Sequence, residues 1–482
     1  MSVRHVSGQQ LARLMGEVRH ERPYYAALAR EVRGLVLDGR LPLRTRLPAE
    51  RDLAAALKVS RTTVTAAYDR LRTEGYIASR QGAGSWTALP QRSALAPASA
   101  RHGMVPPEQD DGGIIDLGCA TPGAPEIFDQ AVAAAVAELP RHSSGPGYAP
   151  AGLAELREMV AAGYEARGVP TGPEQIVITT GAQHAFALLT EVLVEPGAPV
   201  LVERPTYPHA LGALRRRGAR LVPVGVNEGW DAELVAGSMR QAAVRMAYLV
   251  PDFHNPTGHL MDAATREALV AAARRADAFV VADETFAELA HDLTVPRVPP
   301  MAAFDRGGRV VTIGSASKLL WGGLRIGWIR TTAPLVRRLT TAREPLDLSS
   351  AVIDQLIVRE LLARVEEVRA QRAADLLESR DALARALSER LPGWEFGMPE
   401  GGMSLWVRLE APVATPLAEA AARQGVRVVP GPVFGVDGVL EDYVRLPYVQ
   451  PPEVLRTAVD RLATAYAEVE AAPMSRPLPA YV

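Results

Sequence analysis

Short apolar runs alternate with amphipathic stretches over the larger, C-terminal part of the chain. Runs rich in Val, Ile and Leu predict buried strands, and they read QIVIT, APVLVE, ARLVPV, MAYLVP, DAFVVADE and RVVTIG. The stretches AQHAFALLTEVL, YPHALGALRRRG and DAATREALVAAARRA lie between these runs and carry apolar residues at helical spacing. Strand–helix alternation of this kind predicts an α/β fold with a mostly parallel sheet over residues 113–470.

The N-terminal residues 21–89 follow a different pattern. The stretch 24–41, YYAALAREVRGLVLDGRL, has apolar residues at helical spacing. Pro48 predicts the first turn of a second helix, and Ser60 is a good N-cap for a third helix, which Gly75 would end. The third helix should pack inward through one face made of Val64, Ala67, Tyr68 and Leu71.

After the third helix, YIASR and SWTAL are joined through Gly82-Ala83-Gly84, which predicts a β-hairpin. Helices followed by a hairpin wing predict a winged helix-turn-helix of α+β class. The inward face of the third helix leaves four polar residues on its exposed N-terminal turn, namely Arg61, Thr62, Thr63 and Thr65. Arginine can bind guanine edges and threonine can reach phosphates or the thymine methyl group, so this turn suits double-stranded DNA. A capped helical module with a solvated basic face is the alternative.

Composition separates the two parts further. Residues 21–89 hold twelve Lys or Arg against seven Asp or Glu, a net charge of +5, while the whole chain carries −2. A basic head on an acidic body is typical of nucleic-acid binding, although chance can also give so modest an excess. Residues 90–112, rich in Pro, Ala, Ser and Gly, predict a linker. Residues 1–20 and 471–482 are expected to be tails.

The single cysteine, Cys119, excludes an internal disulfide and a cysteine metal cluster, and no metal site is expected. The chain has neither an apolar run long enough to cross a membrane nor an N-terminal segment like a signal peptide. These features predict a cytoplasmic protein.

Lys318 is one of only two lysines, the other being Lys58, in a chain with 53 basic residues. One chemistry requires lysine and excludes arginine, namely attack of a deprotonated amine on an aldehyde to form a Schiff base. A surface lysine is the alternative interpretation. The test is whether the rest of a pyridoxal phosphate site accompanies Lys318.

The remaining parts of such a site should follow the carboxyl ends of strands. A phosphate cup is expected from Ala182 and Gln183, which open a helix, together with Ser315, Ser317 and Arg325. A ring-stacking aromatic, a donor to the ring oxygen, an acid for the pyridine nitrogen and a grip for a substrate carboxylate are expected from Tyr207, Asn255, Asp283 and Arg445. Each motif alone is weak, but their order and local contexts together are a strong indication.

The N-terminal pattern LPAER-LA…SRTTV--AY--L---G closely resembles the GntR-type winged helix. Residues 113–470 resemble the fold type I, aspartate aminotransferase-like enzymes, which use pyridoxal 5′-phosphate. The combination, with a linker between, is the architecture of the MocR subfamily of bacterial regulators. By this resemblance, Lys318 would carry the cofactor as an internal aldimine, and DNA contacts would come from Arg51, Ser60, Arg61, Thr62, Thr63 and Thr65, with Arg80, Gln81 and Gly82 in the wing.

The same resemblance implies a homodimer, swapped head to tail. Tyr148 opens the motif YAPAGLAELREMVAAGYEARGV and would reach the phosphate in the other subunit. Two positions depart from the enzyme pattern: Phe286 stands where a tyrosine is usual, and Gly322 where many relatives have proline. His184 and His254 lie near the expected site and are interpreted as packing or positioning residues.

Three functions stay open from the sequence. The first is a transcriptional regulator that binds operator DNA through the winged helix and senses pyridoxal phosphate or an amino-acid-type effector through an aldimine at Lys318. The second is a working aminotransferase that carries a DNA-binding appendage, which the intact Lys318, Asp283 and Arg445 favour and Phe286 disfavours. In the third, pyridoxal phosphate itself is the effector.

Overall fold

The computed structural model describes residues 5–16, 23–37, 40–80, 84–88 and 113–471. The predicted linker, the residues after 471, and the wing residues Gln81 and Gly82 lie outside these ranges. Within the described residues, no helix combines the length and the apolar character needed to span a membrane.

The N-terminal part is a small helical module with a two-stranded wing. Its elements are Gly8–Met15 (α1), Tyr24–Leu37 (α2), Glu50–Leu57 (α3), Arg61–Thr73 (α4), Ile77–Arg80 (β1) and Gly84–Thr87 (β2). The backbone N–H of Thr63 donates to the Ser60 hydroxyl at 3.1 Å, so Ser60 caps α4 as predicted. The apolar face of α4 is buried against α2 and α3, and β1 pairs antiparallel with β2. The predicted winged helix-turn-helix is confirmed.

Helix α1 lies within residues that the sequence pattern assigned to a tail. Ser7 and Gln10 form a capping box at its start, and Leu11 and Met15 are buried in the apolar core of the module. Gly8 allows α1 to approach α3 closely, because a Cβ at this position would lie 2.6 Å from the carbonyl oxygen of Asp52. The first helix is therefore an integral part of the N-terminal module.

The larger part is built on a seven-stranded sheet, and the predicted mostly parallel α/β fold is confirmed. In spatial order its strands are Ile176–Thr179 (β4), Gly327–Arg330 (β10), Val310–Ser315 (β9), Phe279–Asp283 (β8), Met246–Leu249 (β7), Pro199–Arg204 (β5) and Arg220–Gly225 (β6). The strand β10, which the sequence did not predict, runs antiparallel to both of its neighbours, and the other pairings are parallel.

Both faces of this sheet are covered by apolar cores. Successive residues of a strand point to opposite faces, and accordingly Ile176 and Ile178 belong to one core while Val177 belongs to the other. The same alternation holds for Val280 and Val281 of β8. Burial on both faces explains why the strands read as continuous apolar runs.

Helices of the larger part flank this sheet and build a C-terminal unit. They are Phe128–Glu138 (α5), Ala154–Ala166 (α6), Ala182–Leu193 (α7), Pro208–Arg216 (α8), Ala232–Gln241 (α9), Ala263–Arg275 (α10), Ala333–Arg343 (α11), Val352–Ala363 (α12), Val365–Arg390 (α13), Ala414–Arg423 (α14) and Pro452–Ala471 (α15). The long helix α13 runs beside α15 of the C-terminal unit.

A second, antiparallel sheet belongs to the C-terminal unit. In spatial order its strands are Glu395–Phe396 (β11), Ser404–Arg408 (β12), Tyr443–Pro447 (β15) and Val429–Pro430 (β14). The short strands Ile115–Asp116 (β3) and Val426–Arg427 (β13) pair parallel to each other. Arg445 lies in the middle of β15, opposite Trp406 and Val429.

Candidate functional site

A cavity of about 910 Å³ lies at the carboxyl ends of the parallel strands. Ten of the residues predicted to bind a cofactor or effector line it: Ala182, Gln183, Tyr207, Asn255, Asp283, Ser315, Ser317, Lys318, Arg325 and Arg445. They come from the ends of β8 and β9, the loops that follow β7 and β9, the starts of α7 and α8, and β15 of the second sheet. A cavity of this size and position is typical of small-molecule sites in α/β proteins.

The amine of Lys318 is held against the loop that follows β3. It donates hydrogen bonds of 2.8 Å to the carbonyl oxygen of Ala120 and to the hydroxyl of Thr121. Burial lowers the pKa of Lys318 to about 8, the neighbouring Cys119 opposes this shift, and the Arg445 guanidinium adds to it. An amine with such a pKa is partly deprotonated near neutral pH and can act as a nucleophile.

The carboxylate of Asp283 ends β8 at the floor of the cavity. Its Oδ1 accepts a 3.0 Å bond from the Thr285 backbone N–H, and its Oδ2 accepts a 2.7 Å bond from the Tyr248 hydroxyl. Burial raises the pKa of Asp283, and both hydrogen bonds oppose the rise. The arrangement suits a carboxylate that pairs with a cationic ring nitrogen.

The start of α7 forms an anion cradle beside β9. Because Gly327 pairs with both Thr179 and Ser315, the segments after β4 and β9 leave the sheet side by side. A Cβ on Gly327 would lie 2.7 Å from the carbonyl carbon of Gly181, so glycine is needed for this close approach. Gly181 itself has φ +82°, which favours glycine.

Side chains complete this cradle. A Cβ at Gly181 would lie 2.6 Å from the Arg325 guanidinium, which therefore packs directly over the start of α7. The Ser315 hydroxyl accepts a 3.2 Å bond from the Ser317 backbone N–H. The first amide N–H groups of a helix have no partner within the helix, and with an arginine beside them they suit a phosphate group.

Arg445 reaches the cavity from the second sheet and is only 2% exposed. It donates to Asn255 Oδ1 at 3.3 Å and to the carbonyl oxygen of Gly118, and its guanidinium lies 5.0 Å from the Phe434 ring centre. Burial lowers its pKa to about 10. Among the described residues, its Nε has no hydrogen-bond partner, so a planar anion in the cavity could still engage it.

Tyr207 stands at the start of α8, where its hydroxyl donates a 3.2 Å bond to Gln183 Oε1. Burial raises its pKa to about 12, so the phenol stays protonated. Phe286 also lines the cavity, three residues after Asp283, and brings no hydroxyl to it. Gly322, the second departure from the enzyme pattern, lies at the cavity edge.

The two histidines noted in the sequence make internal contacts. His184 Nδ1 accepts from the Thr180 backbone N–H at 3.1 Å. His254 is buried, with Nε2 3.2 Å from Glu203 and Nδ1 3.0 Å from the Thr257 hydroxyl. Neither of them lines the cavity, and these contacts support a positioning role.

Several residues that the sequence did not single out also contribute to the cavity. They are Gly118, Ala120 and Thr121, which contact Lys318 and Arg445, the Asp283 partners Tyr248 and Thr285, and His209. Of these residues, only Tyr248 could have been recognised from the sequence, because it carries a hydroxyl within an otherwise apolar strand. Tyr148 does not line the cavity, and its side chain is 65% exposed.

The predicted DNA-contacting residues cluster at the start of α4. The Arg61 guanidinium contacts Glu50 at 3.3 Å, and the Thr65 hydroxyl donates to the same carboxylate at 2.9 Å. The Ser60 hydroxyl lies 2.8 Å from that of Thr62 and 2.7 Å from that of Thr63. Arg51, on α3, is exposed. Among the described residues, its ion pair is with its neighbour Asp52. Arg80 ends β1, and Gln81 and Gly82 lie outside the described residues.

Comparisons with known families match both parts. Residues 123–462 match the family model described as aminotransferase class I and II. Residues 24–86 match the model for bacterial regulatory proteins of the gntR family.

Individual proteins are similar to this chain over different lengths. The chain is 29% identical to the "Probable rhizopine catabolism regulatory protein MocR" of Rhizobium meliloti, over 93% of this chain and 94% of the relative. It is 28% identical to the "Uncharacterized HTH-type transcriptional regulator YisV" of Bacillus subtilis, over 88% and 92%. Among solved structures, the α-aminoadipate aminotransferase LysN of Thermus thermophilus, complexed with N-(5′-phosphopyridoxyl)-L-leucine, is 31% identical with a TM-score of 0.69, covering 75% of this chain and 94% of LysN.

Proposed function

Because the chain belongs to the class I and II aminotransferase family and carries a GntR-family domain before it, we propose that it is a MocR-type transcriptional regulator. It binds operator DNA through the winged helix and responds to pyridoxal 5′-phosphate or to an amino-acid effector. One observation carries the proposal. A single chain holds a winged helix with exposed polar residues at the start of α4 and a cavity lined by Lys318, Asp283 and Arg445.

The cavity residues fit the cofactor. Pyridoxal phosphate supplies an aldehyde that reacts with primary amines, attached to a ring that withdraws electrons when its nitrogen is protonated. The cradle at Ala182 and Gln183, with Ser315, Ser317 and Arg325, would bind the phosphate. The remaining roles fall to Asp283 at the ring nitrogen, Asn255 at the ring oxygen, Tyr207 against the ring face and Lys318 at the aldehyde.

The unpartnered Nε of the buried Arg445 supports an effector with a carboxylate. A buried guanidinium favours a bidentate anionic partner, and an α-amino or ω-amino carboxylate supplies one together with an amine. The effector class is therefore an amino acid. Its carboxylate would bind Arg445, and its amine would lie toward Lys318.

The exposed Tyr148 supports a homodimer. The Tyr148 side chain is 65% exposed, and aromatic residues are enriched at protein interfaces. In the proposed head-to-tail dimer, Tyr148 reaches the phosphate site of the second subunit, and each winged helix contacts the large domain of the other chain. An effector could then change the relative orientation of the two DNA-binding heads if it binds two states of the dimer unequally.

The first test is binding of the purified protein to labelled DNA from upstream of its own gene. It is run without pyridoxal phosphate, with it, and with it plus single amino acids. A change of affinity or footprint caused by the cofactor alone identifies pyridoxal phosphate as the effector. A change that needs one particular amino acid identifies that amino acid. Binding no tighter than to unrelated DNA of equal length would contradict the regulator proposal.

The intact Lys318, Asp283 and Arg445 also favour a second candidate, a working aminotransferase with a DNA-binding appendage. Steady transfer between an amino acid and a 2-oxo acid, at an ordinary enzyme rate of about 1–10³ s⁻¹, would support it. Phe286 argues against it, because the cavity lacks the hydroxyl usual at that position.

A further inference from the structure

The cavity of about 910 Å³ that contains Lys318, here called the cofactor cavity, has a neighbour. A second cavity, of about 420 Å³, lies on the far side of the loop that carries Lys318. Apolar side chains from α6, from that loop and from the start of α13 form most of its wall, among them Met159, Leu319, Leu320 and Val365. Trp328 of β10 closes one side, packed against Gly314. The volume suits a small organic molecule.

Polar atoms in the wall of this cavity lack partners. Within the described part of the chain, Glu284 Oε1 and Arg167 Nε are buried without a hydrogen bond. Both residues line the second cavity, and the Glu284 side chain is only 2% exposed. A buried polar atom without a partner destabilises the fold, so this pair of atoms favours a ligand that supplies both a donor and an acceptor.

The charges around the cavity are already compensated. Arg167 contacts Glu284 at 2.8 Å, and Arg297 contacts Glu288. Glu366, at the start of α13, is paired with Arg369 at 2.6 Å. No lining charge is left to attract an ion, so the matching ligand is uncharged.

We propose that this cavity is a second small-molecule site, which binds a neutral compound with an apolar body and one head group that both donates and accepts hydrogen bonds. Primary amides and alcohols on an aromatic or branched aliphatic body belong to this class. Thr285 and Ser315 line both cavities, and Thr285 also contacts Asp283 through its backbone N–H. A ligand here would therefore contact the same loop that holds Lys318, from the opposite side.

The test uses benzamide as the probe and ligand-detected NMR on the full-length protein. Toluene, which lacks the head group, and benzoate, which carries a charge, are the matched comparison compounds. Gly163 lines the cavity and has open space around the position of a Cβ, so Gly163→Trp should block the cavity without disturbing its polar wall. Gly237, in α9, also has open space and does not line the cavity, so Gly237→Trp is the control.

Benzamide should bind the wild-type protein saturably and more tightly than toluene or benzoate. Gly163→Trp should weaken its binding by at least about tenfold, whereas Gly237→Trp should leave it unchanged. Circular dichroism checks that both variants fold. If Gly163→Trp does not fold, the smaller substitution Gly163→Leu replaces it. Absence of saturable benzamide binding, equal binding of benzoate, or binding that Gly163 substitutions do not affect would overturn the proposal.

This site does not depend on the proposed function. DNA binding and cofactor absorbance are measured separately, so failure of the benzamide test leaves the regulator proposal standing. Conversely, a protein that binds benzamide but no operator DNA would keep the second site and lose the regulator proposal.

Discussion

The hydroxyl of Tyr248 donates a hydrogen bond of 2.7 Å to Oδ2 of Asp283. This bond stabilises the charged form of a carboxylate whose pKa burial raises. Tyr248→Phe should therefore leave Asp283 a weaker partner for a cationic ring nitrogen. We expect the affinity for pyridoxal phosphate to fall by about 1 kcal/mol, or about fivefold, in an absorbance titration.

Tyr466→Phe is the control for this prediction. Tyr466 is also buried but lies on α15, packed against Trp394. Equal cofactor affinities of the wild-type protein and Tyr248→Phe would show that the carboxylate does not depend on this hydroxyl.

The lowered pKa of Lys318 predicts how cofactor attachment depends on pH. Attack on an aldehyde requires the neutral amine, and a lowered pKa makes the neutral form available at lower pH. With a pKa of about 8, the neutral fraction rises from about one tenth at about pH 7 to about nine tenths at about pH 9. The initial rate of attachment, followed by visible absorbance, should therefore rise about tenfold over this interval.

Substituting each of the two lysines shows whether the pH dependence of cofactor attachment comes from Lys318. Lys318→Ala should abolish the visible absorbance at every pH while the fold is retained, and Lys58→Ala should keep both the absorbance and the pH profile. A midpoint near 10.5, the ordinary lysine value, would contradict the buried environment of Lys318. An unchanged spectrum in Lys318→Ala would overturn its assignment.

The Arg61 side chain is 73% exposed at the start of α4. If it contacts a base edge, Arg61→Ala should weaken operator binding by about 1–3 kcal/mol and leave the cofactor spectrum unchanged. Arg70→Ala, on the same helix but in its last turn, is the control. Wild-type operator affinity in Arg61→Ala would mean that another part of the module reads the DNA.

The sequence predicted the strands and most of the cavity because strand burial and the position of polar residues after strands are local patterns. Contacts between distant segments leave no such pattern. Thr121, for example, precedes its partner Lys318 by 197 residues. Strand β10 escaped prediction because its residues, GWIR, do not form a continuous apolar run like those of the other strands. Helix α1 was assigned to a tail because its burial comes from packing against α3, a contact that a local pattern does not reveal.

The burial of Leu11 predicts that α1 stabilises the winged-helix module. Leu11→Ala removes a fully buried side chain from the core of the module and should cost about 2–5 kcal/mol. Hydrogen exchange of peptides from α3 and α4 should become faster, while peptides from the large domain stay unchanged. Gln9→Ala, at an exposed position of the same helix, should have no effect. Unchanged exchange in Leu11→Ala would show that α1 is dispensable.

Phe286 offers the sharpest distinction between a regulator and an enzyme. It is 8% exposed at the wall of the cofactor cavity, where its ring brings no hydrogen-bond donor. Phe286→Tyr adds one hydroxyl to the cavity and should raise the rate of amino-group transfer to a 2-oxo acid by at least about tenfold. Phe396→Tyr adds the same hydroxyl on β11, away from the cavity, and should change nothing.

The result for Phe286→Tyr would also explain why a regulator lacks a tyrosine hydroxyl at position 286. A protein that senses an amino acid must hold it long enough to change DNA binding, and fast transfer of the amino group would consume it. The faster variant should therefore respond to its effector only briefly in the operator-binding assay. If the wild-type protein already turns over at an enzyme's rate and Phe286→Tyr adds nothing, Phe286 does not restrain the chemistry, and the aminotransferase alternative gains support.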